Sequence, residues 1–120
     1  MPEIIAVAGV SRNEAKFGFR IFRDLLNAGW TVFGLNPAGG EVLGQAIYRN
    51  LDALPKKPDI LMTVVMPEVT ERLVDDCIRL GIKKIWMQPG SQSQAATDKA
   101  KAAGIEVIAN ACFMVERKIW

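Results

Sequence analysis

A single arrangement repeats three times along this chain and limits the folds that it can adopt. Each time, a segment with apolar residues at helical spacing ends in a glycine, and an apolar run of strand length begins within three residues. The glycines are Gly29, Gly81 and Gly104. Glycine is the residue that most readily forms the left-handed cap at the end of a helix. Helices and strands that alternate through short loops predict right-handed βαβ units and a parallel sheet.

Five apolar runs have the length of buried strands, and helical patterns separate most of them. The predicted strands cover residues 4–8, 31–35, 60–65, 84–87 and 106–109. The predicted helices run from Gly18, Pro67 and Ser93 to the three glycines named above. Residues 38–57 are less regular, with glycines that indicate turns and a short helix predicted at 50–54. The pattern as a whole predicts an α/β fold with a five-stranded parallel sheet.

Composition and charge indicate one ordinary globular domain over residues 1–120. Hydrophobic residues make up 50%, and Lys plus Arg exceed Asp plus Glu by only 15 to 13. A net charge of +2, spread along the chain, is too weak for nucleic-acid binding. The longest apolar runs, 4–10 and 60–67, fall well short of the ~20 residues that span a bilayer, and no basic leader precedes them. We therefore expect a cytoplasmic protein without nucleic-acid or membrane partners.

The residues that most often perform catalysis or bind metals are scarce. The chain has no histidine, which removes the Ser-His and Cys-His nucleophile pairs and the usual zinc ligand sets. Its cysteines, Cys77 and Cys112, are too few and too far apart to suggest a disulfide framework or a metal site. Cys77 is predicted to lie on the buried face of a helix, where it packs in the core. Cys112 follows the last strand, so its position is consistent with either a ligand site or the core.

The loop after the first strand carries the most chemistry. In open parallel sheets, ligands bind beyond the carboxyl ends of the strands, near the point where strand order reverses. Gly9 and Gly18 bracket a loop that contains Ser11, Arg12 and Lys16. A glycine lets the backbone approach a phosphate, the following helix offers free N–H groups, and the two cations can pair with it. The alternative is an ordinary turn between a strand and a helix, with solvated charges.

Two differences separate this loop from the dinucleotide-binding fingerprint. The pattern Gly-x-Gly-x-x-Gly needs a second glycine where Ser11 stands, and the next glycine here is Gly18. An NAD site also needs an acidic residue near the end of the second strand, where this chain has Leu35, Asn36 and Pro37. No Gly-Lys-Ser/Thr follows either, so the loop does not match a P-loop. The sequence therefore argues against NAD.

Several short motifs, in order, resemble the small stand-alone CoA-binding domain proteins, which are similar to the N-terminal CoA-binding domain of the succinyl-CoA synthetase α subunit. These motifs are Gly9-x-Ser11-Arg12, Lys16-Phe17-Gly18, Gly29-Trp30-x-Val32, Asn36-Pro37, Gly44, 55–59, Trp86-x-Gln88-x-Gly90, Gly104-Ile105 and Cys112. The resemblance covers essentially the whole chain. It implies a Rossmann-like three-layer sandwich with coenzyme A or an acyl-CoA lying across the C-terminal edge of the sheet.

The resemblance also implies which residues hold the cofactor. The loop 9–18 would bind the phosphates, Asn36-Pro37 would flank the adenine or ribose, and the residues after the third and fourth strands would line the rest of the path. The implied cofactor-binding residues are Gly9, Ser11, Arg12, Lys16, Phe17, Gly18, Asn36, Pro37, Met66, Pro67, Gln88 and Gly90. From the residues alone, Asn36-Pro37 also reads as a strand stop and Pro67 as a helix start. Gln88 has little reason to follow a buried strand unless it forms a hydrogen bond.

Two departures from the synthetase limit what the resemblance implies. The synthetase has a CoA-contacting lysine after the proline that corresponds to Pro37, whereas 38–40 here read Ala-Gly-Gly. That contact is therefore either missing or supplied elsewhere, with Arg12 and Lys16 as the candidates. Its phosphorylated histidine lies in a further domain, and this chain has no histidine. Non-catalytic CoA binding is therefore expected. The alternatives are a nucleotide-dependent oxidoreductase or acyl-CoA-using transferase, and a subunit that acts only with a partner chain or as a homo-oligomer.

Overall fold

The computed structural model describes residues 3–120 as a seven-stranded sheet with helices on both faces. The strands are β1 Ile4–Ala8, β2 Thr31–Leu35, β3 Glu41–Val42, β4 Gln45–Tyr48, β5 Ile60–Thr63, β6 Lys84–Met87 and β7 Glu106–Ile108. The helices are α1 Phe17–Asn27, α2 Pro67–Leu80, α3 Gln94–Ala102 and α4 Phe113–Glu116, with a 3-10 turn at Leu51–Ala53. None of these helices is long and apolar enough to cross a membrane.

The order of the strands places a topological switch point beside β1. Across the sheet the order is β3-β4-β2-β1-β5-β6-β7, so the chain builds outwards from β1 first in one direction and then in the other. β1 pairs in parallel with both β2 and β5. Only β3 runs antiparallel, against β4. In such sheets the crevice at the switch point is where ligands bind.

The predicted α/β class is confirmed and the sheet is mostly parallel, but it has seven strands where five were predicted. All five predicted strands belong to the sheet, and β3 and β4 extend it within the stretch 38–57 that was expected to be irregular. These two strands have only two and four residues, and Leu43-Gly44 turns the chain between them with φ of 54° and 74°. Strands this short leave no periodic pattern that can be distinguished from a loop.

Two apolar cores fill the space between the sheet and the helices, which gives the three layers. On one face α1 and α4 bury Phe22, Leu25 and Phe113 against the sheet. On the other face α2 and α3 bury Val74, Cys77 and their small neighbours. Cys77 is fully buried, as its helical spacing predicts.

The ends of the helices follow the signals in the sequence. Pro67 is the first residue of α2. A backbone N–H at this position would have no acceptor within the helix, so proline loses no hydrogen bond there. Gly81 caps the same helix with φ 75°, and Gly29 and Gly104 follow α1 and α3 with φ of 87° and 82°. Ser93 caps α3, because its hydroxyl accepts the Ala96 N–H at 3.2 Å. Short loops after these helix ends lead the chain back to the sheet. The carboxyl ends of the parallel strands therefore lie together at one edge.

Candidate functional site

Two glycines bring the start of α1 into direct contact with the switch point. Gly9 follows β1 with φ 103°, a conformation that favours glycine. A Cβ at Gly18, in the first turn of α1, would collide with the carbonyl oxygen of Gly9. A Cβ at Gly9 would in turn collide with the carbonyl oxygen of Val64, just after β5. Backbone therefore packs on backbone here, and no larger residue fits at either position.

Local hydrogen bonds hold the loop between β1 and α1 without using the first N–H groups of the helix. The Ser11 hydroxyl accepts the Asn13 N–H, and the Asn13 side chain accepts the Ala15 N–H, both at 3.0 Å. Lys16 is the N-cap of α1, and its side chain makes no capping hydrogen bond. The first turn of a helix has N–H groups without intrahelical acceptors and the positive end of the helix dipole. α1 therefore presents an uncapped N-terminus.

A cleft of about 550 Å³ opens at this N-terminus, and we call it the α1 cleft. Its lining residues are Gly9, Val10, Ser11, Ala15, Lys16, Phe17, Gly18, Asn36 and Val64. Lys16 is the single charged residue among them. Free helix N–H groups, a hydroxyl, an ammonium group and two glycines that permit close approach form a binding site suited to a phosphate.

Asn36 ties the end of β2 to this loop. Its Nδ2 donates to the Val10 carbonyl at 2.8 Å, and its Oδ1 accepts the Ala38 N–H at 2.8 Å. The side chain therefore does more than stop a strand. It fixes the position of the loop that forms the α1 cleft, and it lines the cleft itself.

A second cleft of about 520 Å³ adjoins the first and shares Gly9 and Asn36 with it. We call it the arginine cleft, because Arg49 and Arg72 both line it. Pro37 and several half-buried or buried apolar side chains supply the rest of its wall, together with Asp75 and Asp76. An apolar wall next to guanidinium groups suits a flat ring that carries a phosphate.

The loop Gly39-Gly40 supports two arginines at the edge of these clefts. Arg12 Nη2 donates to the Gly39 carbonyl at 3.3 Å, and a Cβ at Gly40 would collide with the Arg12 guanidinium. The Arg49 side chain lies on the other glycine, since a Cβ at Gly39 would be 3.2 Å from its Cγ and Nε. Within residues 3–120, neither arginine has a carboxylate within salt-bridge distance.

A third space, of about 260 Å³, lies on the other side of the α1 cleft and shares Phe17 and Val64 with it. We call it the apolar cavity. Its lining residues are Phe17, Ile21, Val64, Gln88, Pro89, Cys112, Val115 and Trp120. Cys112 is half-buried at its wall, so this thiol borders the cavity.

Gln88 is only 4% exposed, and its hydrogen bonds explain its position after β6. Its Oε1 accepts the Phe113 N–H at 2.7 Å, and its Nε2 donates to Cys112 Sγ at 3.4 Å. The side chain therefore caps the start of α4, a helix that the sequence pattern does not predict. Gln88 therefore forms the hydrogen bonds expected of it, and its partners are Phe113 and Cys112 of the same chain.

The structure brings together most of the residues predicted to bind the cofactor. Gly9, Ser11, Lys16, Phe17, Gly18 and Asn36 line the α1 cleft, Pro37 the arginine cleft and Gln88 the apolar cavity. Arg12 lies beside them on Gly39-Gly40. Met66, Pro67 and Gly90 line none of the three spaces, and the Met66 side chain is exposed. Arg49 and Arg72 line the arginine cleft but were not predicted as site residues. Arg49 was overlooked because it follows β4, a strand that the sequence pattern does not predict.

The switch-point cleft, the uncapped helix and the parallel sheet define the class of Rossmann-like ligand-binding domains. Comparison with known proteins then narrows the class. Residues 3–118 match the family described as "CoA binding domain", and the chain belongs to that family. The resemblance predicted from the motifs is thereby confirmed.

Similar proteins include a stand-alone chain and parts of larger enzymes. A conserved hypothetical protein of Pyrococcus furiosus has 38% identity and a TM-score of 0.90, over 95% of this chain and 98% of that one. ADP-forming acetate–CoA ligase I of Archaeoglobus fulgidus is 26% identical over 93% of this chain, which spans 18% of the ligase. The α subunit of ADP-forming acetate–CoA ligase II of Pyrococcus furiosus is 28% identical over 70% of this chain and 19% of the subunit. The chain thus spans about a fifth of these curated relatives.

Proposed function

We propose that this protein binds coenzyme A, with the pyrophosphate at the N-terminus of α1. The observation that carries the proposal is the uncapped first turn of α1, held against Gly9 and opening on a cleft of about 550 Å³. Backbone N–H groups, the helix dipole and Lys16 together stabilise a doubly charged group without requiring a net positive protein. Membership of the CoA-binding domain family supports this choice of ligand.

The other two parts of CoA correspond to the spaces on either side. The arginine cleft, reached past Asn36, has the apolar wall and guanidinium groups that suit adenosine with its 3′-phosphate. The apolar cavity, reached past Phe17 and Val64, suits the pantetheine end. Because each space shares two lining residues with the α1 cleft, one extended ligand can occupy all three.

We propose that the chain, as one domain over 1–120, binds the cofactor without reacting with it. Histidine is absent, so the common nucleophile pairs are too. A second candidate is a role that depends on a partner chain, which is favoured by the relative named as an α subunit. The ligase reaction itself is not carried over, because the chain spans only about a fifth of those enzymes.

Thermal unfolding with CoA, NAD and NADP tests the choice of ligand. A ligand at about 100 times its Kd adds about 2.7 kcal/mol to stability, which raises the Tm of a domain of this size by on the order of 10 °C. We expect this shift with CoA and none with NAD or NADP. A clear shift with NAD and none with CoA would refute the proposal. Size-exclusion chromatography of the endogenous protein separates the partner-dependent role, which requires a stable complex, from stand-alone binding.

A further inference from the structure

Trp120 lines the apolar cavity and is held there by contacts with Phe17 and Asp24. The Trp120 indole stands over Phe17, with ring centroids 6.0 Å apart at 41°. Its Nε1 donates to an Asp24 carboxylate oxygen at 2.7 Å, and this bond helps to hold the pKa of Asp24 below its ordinary value, after the larger effect of Arg23. The indole is thus held by its polar edge while its ring face forms a wall of the cavity.

The rim of the cavity exposes an unusual amount of apolar surface. Phe17, Val115 and Trp120 are 59%, 56% and 44% exposed, and all three line this one space. Contiguous exposed apolar side chains around a concavity are typical of a site that is covered when it is used. The side chains placed around the cavity carry no charge, and the polar atoms of Gln88 bond within the protein. The cavity therefore suits an uncharged group.

Continuity with the α1 cleft shows where such a group would come from. Phe17 and Val64 line both spaces, so a ligand whose pyrophosphate lies at α1 extends its far end into the cavity. In CoA derivatives that far end is the thiol or thioester. A bare thiol with its short linker would leave most of the exposed ring surface of Phe17 and Trp120 in water.

We propose that the apolar cavity takes the acyl group of an acyl-CoA, and that this group is a short, uncharged chain of about four to six carbons. The inference rests on the proposed function. A water molecule occupies about 30 Å³ in the liquid, so 260 Å³ holds roughly eight or nine groups of that size. The end of the pantetheine arm takes some of this volume. A terminal carboxylate is disfavoured there, because no cationic side chain of residues 3–120 lines the cavity to pair with it.

The test compares acetyl-CoA, butyryl-CoA and succinyl-CoA by titration calorimetry. Butyryl and succinyl both have four carbons and differ in ending with a methyl or a carboxylate. Each buried methylene strengthens binding about fourfold, so butyryl-CoA is expected to bind about 15-fold tighter than acetyl-CoA. Succinyl-CoA is expected to bind no tighter than acetyl-CoA.

Two matched variants place the effect in the cavity. Val115→Asp puts a carboxylate at the rim and should remove the preference for butyryl-CoA over acetyl-CoA. Ile78→Asp changes a similarly exposed apolar residue on α2, outside the cavity, and should keep the preference. Equal affinity for all three thioesters, or an unchanged preference in Val115→Asp, would overturn this inference alone. Failure of CoA and every thioester to bind would overturn the proposed function and this inference with it.

Discussion

Recognition of the 3′-phosphate of CoA is the sharpest test of the arginines on Gly39-Gly40. This group carries nearly two negative charges at neutral pH, and a protein with a net charge of +2 cannot attract it through its overall field. Arg12 and Arg49 flank the same two glycines, and neither is paired with a carboxylate in the described part of the chain. We expect Arg49, which lines the arginine cleft, and Arg12, which lies at its edge on Gly39, both to contact this phosphate.

The size of the effect follows from the present contacts of Arg12. Within residues 3–120 its side chain makes one hydrogen bond, to the Gly39 carbonyl, which is long at 3.3 Å, so little is lost when a ligand replaces it. A hydrogen bond to a charged group contributes about 1.5–3 kcal/mol. Because Arg49 remains to share the phosphate, Arg12→Ala should weaken CoA binding by about 1.5–2 kcal/mol, or roughly 10- to 30-fold. Arg12 and Arg49 would share one phosphate, so the losses of binding free energy in the two single variants are not expected to add up in the double variant.

Titration calorimetry with CoA and dephospho-CoA measures this directly. Arg12→Ala and Arg49→Ala should weaken CoA and leave dephospho-CoA nearly unchanged, so that the two affinities converge. Lys101→Ala, at an exposed position on α3, serves as the control for loss of a positive charge and should change neither. Equal weakening of both ligands by Arg12→Ala would mean that Arg12 contacts the pyrophosphate instead. No weakening would mean that Arg12 is merely solvated.

Three further predictions test other parts of the site and the core. Gly18→Ala forces a Cβ onto the Gly9 carbonyl and should cost about 3 kcal/mol in urea unfolding. Gly104→Ala, with φ 82° but open space around it, should cost only about 1 kcal/mol, and a larger cost there would refute the packing argument. Asn36→Asp loses the donor to the loop and adds a negative charge beside the phosphates, so calorimetry should show weaker CoA binding than for Asn36→Ala. Burial raises the pKa of the Cys77 thiol from about 9 to about 12, so the folded chain keeps a proton that the unfolded chain releases. Stability should therefore fall as pH rises from 9 to 12, by up to about 1.4 kcal/mol per unit, and the fall should be smaller in Cys77→Ala.

The parts of the fold that could be predicted are those set by local physical chemistry. Long apolar runs predicted five of the seven strands, β1, β2, β5, β6 and β7. Pro67, Gly81 and Ser93 marked helix ends, because proline lacks an N–H, glycine adopts a positive φ and the serine hydroxyl accepts a capping hydrogen bond. The missed elements are short and depend on distant partners. α4 has four residues, and its first N–H is capped by Gln88, 25 residues earlier in the chain.

The candidate site was predictable only in part, for the same reason. Gly9 and Gly18 could be identified because glycines between a first strand and the start of its helix allow close approach of a phosphate to the backbone. Arg49 could not, since its place depends on the short strand β4, which brings it onto Gly39. Gln88 was identified as unusual, but its partners lie on a helix that gave no sequence signal.

The two outermost strands of the sheet have a consequence for how copies of this chain can meet. β3 has two residues and β7 has three, which corresponds to roughly 7–10 Å of free edge at about 3.3 Å per residue. A strand from another molecule could form only a few backbone hydrogen bonds there before the edge ends. Unpaired edges are where folded β proteins template aggregation, and short edge strands suppress it. We therefore expect contacts between copies of this chain to use side-chain surfaces rather than a sheet continued from one molecule to the next.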